Sequence, residues 1–227
     1  MKIESFPRKL FLFRNNLCMF AQTQNELHNM KHMSILAVSL LALVACTPEK
    51  KQEADYSQYV NPMIGTDFTG NTYPGAQVPF GMVQLSPDNG LPGWDRISGY
   101  FYPDTTIAGF SHTHLSGTGA GDLYDISFMP VTRPYKEAPA PLGIYSTFSH
   151  NDEAASAGYY RVLLKDYNIN VELTATERCG IQRYTFPEAE ASVFLNLKKA
   201  MNWDFTLDSK IEVVDSTTIR GYRLSQG

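Results

Sequence analysis

The chain is poor in cysteine, in basic charge and in long apolar runs. It has three cysteines in 227 residues. Cys18 and Cys46 precede the part that reads as folded, and Cys179 stands alone within it. A disulfide-stapled scaffold is therefore excluded. Lys and Arg number 19 against 23 Asp and Glu. That balance provides no basic patch, so nucleic acid is not an expected partner. No apolar run reaches the roughly twenty residues needed to cross a bilayer. Helical periodicity over about twelve residues is missing after Cys46, which argues against a helical bundle. There is no internal repeat, no G-x-S-x-G nucleophile elbow and no phosphate-binding P-loop.

What is present begins with a targeting signal. In "MKHMSILAVSLLALVACTPEKK", Met30 and Lys31 start a charged segment, and Ile35 to Val44 form an apolar run of ten residues. The run ends in Leu43-Val44-Ala45-Cys46, a bacterial lipobox pattern. Residues 30–45 are expected to be a lipoprotein signal peptide, with Cys46 taking the lipid. A buried helix is the alternative, but polar sequence follows at once. Residues 1–29 fit no targeting pattern and read as translation from an upstream start codon. Residues 46–58 form a polar tether. Five of the basic and two of the acidic residues precede Cys46, leaving 14 against 21 and a net charge of −7 on the processed chain.

From Tyr59 onward the pattern is short strands cut by turn residues. "YYRVLLKD" puts Tyr160, Val162 and Leu164 on one face, and "INVELTA" does so with Ile169, Val171 and Leu173. "SVFLNLK" groups Val193, Leu195 and Leu197. "KIEVVD" and "TTIRGYRLS" read as a further pair. Strands at this spacing predict an all-β fold, an antiparallel β-sandwich. Residues 61–130 differ, being rich in Gly, Pro, Asn, Asp and Thr, as site-bearing loops are. "VPFGMVQLSP", "SGYFY" and "IAGFSHTH" are candidate strands within them.

Two stretches there carry chemistry. In "SHTHLSGTGAGDLYD", a strand would send His112 and His114 to one face, where Asp122 or Asp125 could join them around a metal. The other reading is a histidine bonded to loop backbone. The glycines lack nucleotide-loop spacing and permit positive φ or close backbone approach instead. Asp122 and Asp125 either cap turns or meet Arg96, Arg133 or Arg161. In "GWDRISGY", Trp94 lies beside Asp95. An indole next to a carboxylate suits a sugar, the ring packing its C–H face and the carboxylate accepting from its hydroxyls. A loop tryptophan folded into the core is the competing reading.

"YVNPMIGT", "NTYPGAQVPFGMVQLSPD", "GFSHTHLSGTGAGDLYDISFMP", "FSHNDEAASAGYYRVLL" and "ELTATERCGIQRYTFP" together resemble the N-terminal domain of glycoside hydrolase family 92. These are bacterial exo-acting α-mannosidases, many of them α-1,2-mannosidases, common in gut Bacteroidetes. The resemblance runs from Tyr59 to Gly227. It departs at Gln182, where a histidine is expected, and at Met201 to Trp203.

The resemblance implies a galactose-mutarotase-like β-sandwich followed by an (α/α)6-barrel, with the active site between them. It implies a calcium ion on the mannose hydroxyls and inverting hydrolysis by a glutamic acid and an aspartic base. Acid, base and most calcium ligands would lie in the barrel, so this chain is expected to carry no catalytic residue and no metal ligand. It would stop short of the barrel and supply one wall of the pocket. Trp94 becomes the leading substrate contact, with Gly93 and Asp95 behind it and His112 or His114 donating to a mannose hydroxyl. The expected partners are a mannose-containing glycan, the barrel, and a membrane reached through the lipid on Cys46, at the outer membrane or in the periplasm. A non-catalytic glycan-binding lipoprotein is the alternative.

Overall fold

The computed structural model describes residues 54–117, 123–188, 190–198 and 205–226. The upstream stretch, the signal segment and Cys46 lie outside them. So do Asp122 and Trp203. The chain divides into one unit of residues 1–53 and a second of residues 54–227, and the account below concerns the second.

Fifteen strands occur among the described residues. The first eight are short: β1 (Ala76–Gln77), β2 (Gln84–Asp88), β3 (Thr106–Ile107), β4 (Gly109–Ser111), β5 (Ser127–Thr132), β6 (Glu137–Ala138), β7 (Gly143–Ile144) and β8 (Ser146–Thr147). The later ones are longer: β9 (Glu153–Ser156), β10 (Tyr159–Leu164), β11 (Ile169–Ala175), β12 (Gly180–Thr185), β13 (Ala191–Asn196), β14 (Phe205–Val213) and β15 (Ile219–Gln226). They form a five-stranded sheet in the order β1-β2-β4-β5-β13 and a four-stranded sheet in the order β12-β11-β10-β9. Every pairing is antiparallel. The expected all-β sandwich is the fold. No described helix is long and apolar enough to cross a membrane.

The core forms where period-two patterns from the two sheets meet. Tyr160, Val162 and Leu164 pair across the ladder with Leu173, Val171 and Ile169. All six are buried. Against them lie Leu85, Phe110, Met129 and Val131 of the other sheet. Each such side chain contributes roughly 1.5–3 kcal/mol by leaving water.

Two sequence expectations need correction. "SGYFY" is not a strand but a turn. The Asn89 side chain takes the place of a ladder there, accepting from the Phe101 amide at 2.5 Å and donating to the Thr106 carbonyl at 2.7 Å. In β13 the stripe Val193, Leu195, Leu197 does not enter the sandwich. Val193 is exposed, and Phe194 packs against the core instead. Leu195 and Leu197 line a cavity against Ile211, Ile219 and Tyr222 of the β14–β15 hairpin. A stripe covered by a separate hairpin and one covered by the main core look identical in sequence. At Gln182, Oε1 accepts from the Tyr184 hydroxyl, while the buried Nε2 has no partner among the described residues.

Candidate functional site

Three loops gather beside the five-stranded sheet. The first, residues 61–73, bonds the second through the Tyr102 amide to the Thr66 carbonyl (2.8 Å) and the Ser98 hydroxyl to the Thr72 carbonyl (3.0 Å). It meets the third, residues 111–117 and 123–126, where the Gly117 amide donates to the Asn71 carbonyl at 2.7 Å. Loop backbone thus takes its hydrogen bonds from other loops, as buried irregular chain must.

Beneath them lies a buried polar knot. Asp88 ends β2, Ser111 ends β4, and His114 follows three residues later. Asp88 and Ser111 are 0% exposed and His114 is 2% exposed. Asp88 Oδ1 accepts from Ser111 Oγ (3.1 Å) and from His114 Nε2 (2.9 Å). His114 Nδ1 faces the Gln84 carbonyl at 2.7 Å. Nδ1 thus faces main chain, while Nε2 faces both the Asp88 carboxylate and, at 3.2 Å, the Ser111 hydroxyl. Tyr73 packs on the ring at 5.1 Å and Tyr124 meets it edge-on at 5.7 Å. Ser, His and Asp together are not a nucleophilic triad in this arrangement. The Ser111 hydroxyl lies 3.2 Å from Nε2, but that same nitrogen also faces the carboxylate, and Nδ1, where a triad's orienting aspartate would sit, is spent on main chain. His114, expected to reach for a sugar hydroxyl, is placed as a support beneath the loops.

His112 goes elsewhere. Its Nδ1 faces the Ile126 carbonyl at 2.9 Å, and its ring meets Phe128 edge-on at 5.5 Å. Burial holds its pKa below the usual 6.5. The two imidazoles address different partners rather than a shared ion. Among the described residues no group of three or more His, Cys, Asp or Glu side chains could hold a metal. The described residues of this loop cluster do not assemble side-chain ligands for calcium.

Asp125 is both a turn former and a long-range anchor. It exchanges two bonds with Thr113, the threonine hydroxyl donating to Oδ2 at 3.0 Å and the Asp125 amide donating back at 2.9 Å. Its Oδ1 accepts from Arg223 and, at 3.2 Å, from Ser225 of β15. Neither Arg96 nor Arg133 is its partner: Arg96 is engaged by Asp104 and Arg133 by Glu190. The turn is strained, with Leu123 at φ 83°, Tyr124 at φ 60° and Ile126 at φ 57°. Left-handed backbone at a β-branched residue is unfavourable, and such strain concentrates at functional loops.

The second loop presents Trp94. It opens the one-turn 3-10 helix Trp94–Arg96, behind Gly93 at φ 156° and ψ 155°, a region close to glycine-only. Trp94 is 54% exposed, and Asp95 beside it is half-buried. The loop closes at Gly99, φ 88°, where a Cβ would lie 2.8 Å from Asp88 Oδ1 and 3.0 Å from His114 Cδ2. The loop bearing Trp94 and Asp95 thus rests on the knot that contains His114.

A second buried carboxylate escaped sequence reading. Glu153, whose side chain is 2% exposed, accepts from the hydroxyls of Tyr100 (3.0 Å) and Tyr160 (2.5 Å) and from His150 Nδ1 (2.6 Å). His150 Nε2 lies 2.8 Å from the Tyr102 carbonyl, and its ring stacks on Tyr102 at 3.9 Å. Burial and the neighbouring carboxylate push both tyrosine hydroxyls well above their usual pKa. The only local signal was Ser149 before "HND", a cap whose hydroxyl accepts from the Asn151 amide at 3.3 Å.

Comparison with known proteins places this arrangement. Residues 59–227 match the model for the Glycosyl hydrolase family 92 N-terminal domain. A GH92 α-mannosidase from Bacteroides thetaiotaomicron, solved in complex with mannoimidazole, is 42% identical with a TM-score of 0.71, over 75% of this chain and 23% of that one. A GH92 inverting mannosidase from Bacteroides thetaiotaomicron VPI-5482 is 28% identical with a TM-score of 0.60, over 78% of this chain and 24% of that one. The curated protein named "Uncharacterized secreted glycosidase" from Arthroderma benhamiae is 26% identical over 172 residues, 71% of this chain and 21% of its own length. The chain spans less than a quarter of the length of each.

Proposed function

Because the chain belongs to glycosyl hydrolase family 92, as its N-terminal domain, we propose that it forms the sugar-facing sandwich of an exo-acting, inverting α-mannosidase. The substrate is a mannose-rich glycan, with α-1,2-linked mannose as the favoured terminus. Trp94 packs against the C–H face of the mannose ring and Asp95 accepts from its hydroxyls, while Gly93 lets the turn approach closely. Supporting the reading is the likeness to a mannosidase solved with mannoimidazole, joined to a half-exposed indole on a braced loop.

Inversion needs a general acid and a general base on opposite sides of one sugar, about 6.5–9.5 Å apart with a water between. Both are assigned to a barrel domain beyond this chain, which also holds calcium. This chain's residues bind and orient. We further propose that Cys46 carries lipid and holds the enzyme at the outer membrane or in the periplasm.

The test is to express residues 46–227 with Cys46→Ser and titrate with α-mannobiose and calcium. A half-pocket should bind no tighter than about millimolar. Trp94→Ala should remove roughly 1–3 kcal/mol of that binding and leave melting unchanged. No turnover is expected. Turnover abolished by mutating carboxylates within this chain would put the acid and base in the sandwich and refute the assignment.

A further inference from the structure

The contact residue proposed above stands on a turn of three residues, too short to hold an orientation by its own hydrogen bonds. The neighbouring side chain supplies what the turn lacks. Arg96 folds back past Gly93, where a Cβ would sit 3.4 Å from its Nη1. Its guanidinium lies over the Phe101 ring at 4.5 Å. The fork closes on Asp104, with Nε donating to Oδ2 at 2.7 Å and Nη2 to Oδ1 at 2.5 Å. The Arg96 side chain is 22% exposed and that of Asp104 9%.

The far end of this clamp is anchored three times over. Asn89 accepts from the Phe101 amide, Tyr102 donates to the Thr66 carbonyl, and the Tyr102 ring stacks on His150. His150 in turn is held by the buried Glu153. The rigidity of the four-stranded sheet, which contains Glu153 in β9, thus has a continuous path to the turn carrying Trp94.

We propose that Arg96, gripping Asp104 over Phe101, is the positioning residue that sets the direction in which Trp94 meets its sugar. This rests on the reading of Trp94 as a sugar contact. A planar guanidinium makes two parallel bonds and stacks on a ring at once, so one side chain fixes both tilt and rotation of the turn. Lysine keeps the charge but loses the fork and the flat stacking face.

Residues 46–227 hold two tryptophans, so in a protein of those residues Trp203→Phe leaves Trp94 as the only indole fluorophore. In that background, anisotropy and acrylamide quenching of Trp94 report its freedom without any sugar. Arg96→Lys and Asp104→Asn should each lower the anisotropy and raise the quenching constant about twofold, with circular dichroism unchanged. Added ethylguanidinium should restore both readouts in Arg96→Ala. Titration with α-mannobiose should then show a dissociation constant raised about five- to tenfold in Arg96→Lys, as expected when a contact loses its orientation. If Asp104→Asn does not fold, Phe101→Leu removes the shelf alone and should give the same direction. Folded Arg96→Lys and Phe101→Leu with parental anisotropy and quenching would overturn the clamp. A parent that binds no mannoside would overturn the sugar reading instead, and the anisotropy would still decide the clamp.

Discussion

Replacing His114 by leucine separates a structural histidine from a sugar-binding one. The substitution keeps the volume roughly constant and removes both donors. The Gln84 carbonyl loses a bond of 2.7 Å and Asp88 Oδ1 loses one of 2.9 Å. Asp88 is 0% exposed, so water cannot replace the lost donor without opening the fold. Leaving a buried acceptor unsatisfied costs about 1–3 kcal/mol. Two acceptors lose a donor while Ser111 still donates to Asp88, which puts the expectation at about 3 kcal/mol. Against a typical total of about 5–15 kcal/mol that is a large share. With a urea slope of about 2 kcal/mol/M, the midpoint should fall by about 1.5 M. Melting should fall by about 6–12 °C. A cycle with Asp88→Leu isolates the pair, and the double variant should be less damaged than the sum of the singles by about 1–3 kcal/mol. A His114→Leu protein within about 1 kcal/mol of the parent, with strictly additive effects, would refute the buried-pair argument. If that protein also lost mannoside binding, His114 would be a contact after all.

Three further outcomes are expected. Gly99→Ala should destabilise well beyond Gly117→Ala: both have positive φ, but a Cβ at Gly99 would press on Asp88 and Tyr124, while one at Gly117 meets nothing within 4 Å, and paired thermal melts would show the gap. Acid should weaken the fold through His112, whose folded pKa is held below 6.5 by burial. The unfolded chain then takes up the proton first, so this stability is present above pH 6.5 and is lost as pH falls through the depressed value. Urea midpoints at several pH values should decline in that direction, and less steeply in His112→Phe. Mass spectrometry of membrane-extracted protein should find an acylated N-terminal Cys46, whereas peptides from residues 2–29 in the mature protein would contradict the signal assignment.

Local pattern was enough for β10 and β11, the middle strands of the four-stranded sheet. In Tyr160, Val162, Leu164 and Ile169, Val171, Leu173 the alternation is a direct consequence of the two-residue pleat, so sequence spacing alone decides which side chains share a face. The motif run from Tyr59 onward likewise identified the family, because residue identities in order survive without coordinates. The loop position of Trp94 was legible in its flanking glycines, while its exposure was settled only by the fold. Partnership was not legible. Asp88 and His114 lie 26 positions apart, Tyr100 and Glu153 53, and Asp125 and Arg223 98. Nothing in local spacing distinguishes the arginine that returns to Asp125 from the three that do not. His112 and His114 sit two positions apart in the chain, yet burial and hydrogen bonding divide them between the Ile126 carbonyl and the Asp88 carboxylate. The direction of the Leu195 and Leu197 stripe depended on whether a hairpin or a sheet came to cover it. Spacing sets which atoms can point the same way; only packing of distant segments decides what they point at.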